Sequence, residues 1–114
     1  MSRIEQLDAK NLDDFLAADA AVLMLAKTTC RNCASWTAEL DAACAAGDFF
    51  PTVRFGKLYL DVPGLVKFKK ANPWLAGIED LPYNIIYVKG GATKQWAGGG
   101  LDRLQNRLRR VLGG

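Results

Sequence analysis

Seven consecutive apolar residues, Ala20–Ala26, run up to the motif Cys30-Arg31-Asn32-Cys33, and a stretch with helical periodicity follows it. An apolar run of this length suits a strand buried on both faces, as in a parallel sheet with a layer packed on each side. The cysteine pair then falls where that strand gives way to a helix. A helix N-terminus carries unpaired backbone N–H groups and a partial positive charge, and both favour thiolate over thiol. Thiolate is the species that attacks disulfides, so Cys30 and Cys33 are candidates for redox chemistry.

The chain has 114 residues, half of them apolar and about a quarter charged. That is enough for one domain, residues 1–114, with a real hydrophobic core. No apolar stretch approaches the length of a membrane span, so no membrane partner is expected. Residues 1–8 carry Glu5 and Asp8 and no apolar core, so a secretory signal is not expected and a cytoplasmic location is. The net charge of +3 is too small to argue for nucleic acid. The cations Arg103, Arg107, Arg109 and Arg110 sit on a predicted terminal helix, where they read as a solvated face complementing the helix dipole. Three cysteines and no histidine make neither a disulfide-stapled scaffold nor a closed zinc site, so no metal is expected.

Residues 4–7 form a predicted edge strand, and residues 11–18 a first helix capped by Asn11, with Leu12, Phe15 and Leu16 on one face. After Ala20–Ala26, Thr29 or Cys30 caps a second helix that runs through Ala46 to a stop at Gly47, with an apolar stripe of Trp36, Leu40 and Cys44. Residues 53–60 read as a strand. Pro63 suits the first turn of a helix containing Leu65, Val66 and Phe68, with Lys67, Lys69 and Lys70 on its wet side. Residues 71–80 are irregular, broken by Pro73 and Gly77. A strand over 83–88 ends at Gly90-Gly91 and pairs with residues 93–97 as a hairpin. Leu101, Leu104, Leu108, Val111 and Leu112 repeat at helical spacing and mark a last helix.

This order, with the Cys-x-x-Cys opening the longest helix, Lys57 to Asp61 on the next strand, Leu81-Pro82-Tyr83 and the Lys89-Gly90-Gly91 turn, resembles the thioredoxins over nearly the whole length. The resemblance implies an α/β thioredoxin fold with a central mixed sheet of four to five strands flanked by about four helices. It implies a thiol–disulfide oxidoreductase that needs no cofactor beyond a redox-active Cys30–Cys33 disulfide. Cys30 is then the nucleophile and Cys33 the resolving thiol, one helical turn behind at a Cα separation of about 5 Å that a disulfide accepts. Leu81-Pro82 is similar to the family's cis-proline site, where the preceding backbone pairs with substrate as an added strand. Thr29, Leu81 and Pro82 are therefore expected to bind substrate, and Arg31, Asn32 and Lys57 to tune the redox pair.

The departures from the family pattern are equally specific. Thr29 stands where the family has tryptophan, and Arg31-Asn32 where it has Gly-Pro. Met24 stands where it has a buried aspartate that helps take a proton from the second thiol, which predicts slow resolution of mixed disulfides. The segment between Asp61 and Pro82 is longer, and Trp74 within it is the candidate for partner contact. Arg31 is expected to lower the Cys30 pKa and make the protein a somewhat stronger oxidant. Cys44 lies three turns beyond Cys33 on the same face, about 16 Å along the axis, and reads as a buried structural cysteine. Expected partners are protein disulfides and a reductase as electron donor, acting on a monomer. The alternative from another class is a thioredoxin-fold adaptor whose thiols sense or have lost their role.

Overall fold

A computed structural model describes residues 3–113. Five strands form one mixed sheet in the order β1-β3-β2-β4-β5. They are β1 (Ile4–Gln6), β2 (Ala20–Ala26), β3 (Arg54–Tyr59), β4 (Tyr83–Val88) and β5 (Gly91–Ala97). The first three are mutually parallel, β4 runs antiparallel to β2, and β5 antiparallel to β4. Four helices connect or cover them: α1 (Leu12–Leu16), α2 (Arg31–Ala45), α3 (Val66–Ala71) and α4 (Leu101–Leu112). A 3₁₀ turn, Pro73–Gly77, follows α3.

All residues of β2 are buried, and the strand's alternation divides them between two cores. Ala20, Val22 and Met24 face Trp36, Leu40 and Cys44 of α2 and Leu104 and Leu108 of α4. Ala21, Leu23 and Leu25 face Leu12 and Phe15 of α1, together with Leu65. This is why β2 reads as an unbroken apolar run rather than an alternating one. Gly56 of β3 is set by the second core: an added Cβ would lie 2.7 Å from Leu7 Cδ1 and 2.8 Å from Phe15.

Three local expectations are corrected. The α1 helix ends at Leu16 and Asn11 does not cap it through its side chain. Instead Asn11 Oδ1 accepts the Asp8 N–H (2.7 Å), while Asp8 Oδ1 accepts the N–H groups of Lys10 and Asn11 (2.8 and 3.2 Å). These bonds fold the connection itself, which is the competing use of such side chains. Pro63 does not open α3, which begins at Val66, because Gly64 between them has φ +95° and interrupts a right-handed helix. As a result Leu65 is buried, whereas Val66 is 64% exposed. Finally, β5 starts at Gly91, two residues earlier than the spacing predicts. Lys89 and Gly90 both hold positive φ (51° and 86°), as a two-residue hairpin turn requires.

Candidate active site

The C-terminal end of β2 delivers the chain to α2. Cys30 is the N-cap residue, extended at φ −88°, ψ 112°, and its Sγ accepts the backbone N–H of Cys33 (3.1 Å). A sulfur thus takes the place that a hydroxyl or carboxylate usually fills at a helix start. The two sulfurs lie at disulfide distance, with the Cα atoms 5.3 Å apart. Cys30 is half-buried and Cys33 is 1% exposed, as expected for an outer and an inner thiol.

The loop ahead of Cys30 is held from across the sheet. The Asp61 carboxylate accepts the Thr28 N–H (3.2 Å to each oxygen) and the Thr28 hydroxyl (2.6 Å). These bonds, led by the hydroxyl, hold the Asp61 carboxyl below its usual range. Thr29, Arg31 and Asn32 are exposed beside the sulfurs. The register Leu25↔Tyr83 sets the start of β4 against the end of β2, so Leu81 and Pro82 sit at the same end of the sheet as the cysteines. The Leu81-Pro82 peptide is cis, and the Pro82 carbonyl accepts the Gly98 N–H (2.8 Å). Leu81 lines a groove of about 670 Å³ shared with Lys27, Leu60, Leu75 and Ile78, so the segment between Asp61 and Pro82 builds one wall of it.

A second pocket, about 250 Å³, brings Cys30 and Cys33 together with Thr37, Asp41, Lys57 and Tyr59. Lys57 pairs in register with Met24, and its Nζ lies 4.9 Å from the Tyr59 ring centroid. Met24 is 1% exposed, and its Sδ lies 3.5 Å from Thr37 Oγ1, whose hydroxyl donates to the Cys33 carbonyl (2.7 Å). Lys57 therefore joins the sulfurs in one cavity, whereas Arg31, Asn32 and Thr29 are not on its wall. Cys44 is buried in the first core and unbridged, and burial raises its thiol pKa. Trp74 is 36% exposed and pairs with Tyr83 at a centroid distance of 6.0 Å. Among the described residues, no cluster of three or more His, Cys, Asp or Glu could hold a metal ion.

Sequence reasoning missed Asn84. It is fully buried, accepts Trp36 Nε1–H (3.0 Å) and donates to the Gly98 carbonyl (2.8 Å), tying α2 and the glycine loop to β4. Its only signal is an amide in the middle of an apolar strand. Thr37 and Asp41 were also missed, although both lie on the helix face of Cys33 at i+4 and i+8.

No protein-family model matches the sequence, and no curated protein matches it. Solved structures do. Thioredoxin from Trypanosoma brucei brucei is 18% identical, with 97% of this chain and 92% of that one aligned at a TM-score of 0.74. Thioredoxin from Malassezia sympodialis is 17% identical, with 96% and 91% aligned at 0.72. Thioredoxin O2 from Arabidopsis thaliana, in its oxidised state, is 16% identical, with 96% and 95% aligned at 0.72. The five-stranded mixed sheet, its helices and these superpositions establish that the chain has the thioredoxin fold.

Proposed function

We propose that the protein is a thiol–disulfide oxidoreductase that exchanges the Cys30–Cys33 pair with disulfides of protein substrates. The observation that carries this reading is the pair itself: two sulfurs at disulfide distance, the outer one capping the longest helix and accepting a backbone N–H there. A hydrogen bond to sulfur and the helix N-terminus both stabilise Cys30 as thiolate. Cys30 attacks a substrate disulfide and forms a mixed disulfide, and Cys33 then attacks Cys30 Sγ and releases the reduced substrate. The backbone of Leu81, ahead of cis-Pro82, pairs with the substrate strand, and Thr29 and Pro82 complete the contact surface. Lys57 and Arg31 supply positive charge near the sulfurs. A reductase returns the oxidised pair to the dithiol, and the protein works as a cytoplasmic monomer.

Insulin reduction with dithiothreitol tests this reading. The expected result is catalysis by the wild type and its loss in Cys30→Ser. Equal turbidity kinetics in both proteins and in the protein-free control would leave the fold as an adaptor rather than an enzyme.

A further inference from the structure

The resolving step needs a base that β2 does not provide. Cys33 is a thiol at 1% exposure when it must attack, and β2 (Ala20–Ala26) carries no ionisable side chain. A free thiol is only a few per cent ionised at pH 7, and burial lowers that fraction further. The cavity that reaches Cys33 is walled by α2, β3 and the loop after β2. Its ionisable groups besides the two cysteines are Lys27, Asp41, Lys57 and Tyr59. Lysine and tyrosine side chains ordinarily hold their protons at neutral pH, whereas a carboxylate does not.

We propose that Asp41 is the proton acceptor for Cys33, reached through water in the pocket that both residues line. Cys33, Thr37 and Asp41 follow one another at i, i+4 and i+8, all three on the cavity wall. Eight residues rise about 12 Å, too far for direct contact, and a pocket of about 250 Å³ has room for several waters between them. Lys57, on the facing wall, favours negative charge on Cys33 as the proton leaves. The proposal rests on the reading of Cys33 as the resolving thiol. In the step itself the Cys33 S–H breaks and its proton passes along water to Asp41. A bond forms between the Cys33 and Cys30 sulfurs, the bond from Cys30 to the substrate sulfur breaks, and that sulfur leaves as thiolate. Cys33 is oxidised and the substrate sulfur reduced, with the proton returned to solvent.

The test is stopped-flow reaction of the reduced protein with an aryl disulfide that releases a coloured thiol, from pH 5.5 to 9.5. It separates attack by Cys30 from release by Cys33. Asp41→Asn is expected to slow release at least about 10-fold at pH 7 and to converge on the wild type at high pH, with attack unchanged. Asp41→Glu, which keeps a carboxylate, is expected to release within a few-fold of the wild type. Release by Asp41→Asn at the wild-type rate across the range overturns the proposal alone. So does equal slowing in Asp41→Glu, or a matching slowing of attack. Absence of any Cys30 adduct in the wild type overturns it together with the functional reading.

Discussion

Replacing Asn84 with alanine removes a buried amide that joins α2, β4 and the Gly98 loop. In the native protein Asn84 Oδ1 accepts Trp36 Nε1–H at 3.0 Å and Nδ2 donates to Gly98 O at 2.8 Å, with the side chain fully buried. The substitution strands the buried Trp36 donor out of water and unpairs the carbonyl of the half-buried Gly98. A buried group left unpaired costs about 1–3 kcal/mol, and the half-buried carbonyl adds less because water can reach it. Truncation also leaves a small cavity, which adds to the loss unless a water fills it. We expect a loss of about 2–4 kcal/mol by urea unfolding. At an m-value of about 1.5 kcal/mol/M this lowers the midpoint by roughly 1–3 M. Trp36→Phe removes only the donor and is expected to cost about 1–3 kcal/mol. The double mutant should lose less than the sum of the two, with a coupling of about 1 kcal/mol. A loss below about 0.5 kcal/mol for Asn84→Ala, or full additivity with Trp36→Phe, would refute the reasoning.

Two further outcomes follow from the site. Asp61 has a folded pKa below its ordinary 3.8, because its ionised form accepts from Thr28. A depressed carboxyl contributes stability that is present above the unfolded value and lost as pH falls through the folded one. The Thr28 clamp is therefore expected to hold at pH 5 and to release below about pH 3.8, read as faster exchange of the Thr28 amide relative to core amides. Unchanged relative protection at pH 3 would contradict the clamp. Arg31 is exposed next to Cys30, so Arg31→Gly is expected to make the reduction potential more negative. One unit of Cys30 pKa corresponds to about 30 mV for a two-electron couple, and that is the expected ceiling. The shift should shrink in 1 M salt, and a more oxidising mutant would reject it.

Much of this arrangement is readable from local sequence. Ala20–Ala26 is continuous in apolar character because its alternate residues serve two cores, and that one run implied layers on both sides of the sheet. Trp36, Leu40 and Cys44 recur at i+4 and are all buried on α2. Cys30 and Cys33 needed only their spacing and their place at a helix start. Element boundaries were harder, since Gly64 and the Asp8–Asn11 bonds decide them through single dihedrals and side-chain competition. The site beyond the two sulfurs was least legible. The Thr28–Asp61 clamp spans 33 residues and the Trp36–Asn84 bond 48, and neither leaves a local pattern. Asp41 reads as an ordinary polar residue of a helix until β3 closes a pocket over it. Lys57 was anticipated by resemblance, and its place in that pocket came from its register with Met24.

The most direct measurement is a redox titration of the intact protein in glutathione and dithiothreitol buffers, with alkylation and mass analysis at each poise. The expected result is that Cys30 and Cys33 oxidise together as one two-electron couple, at a potential between about −300 and −120 mV, while Cys44 stays alkylatable only after unfolding. Independent oxidation of Cys30 and Cys33, or a disulfide that includes Cys44, would contradict the account.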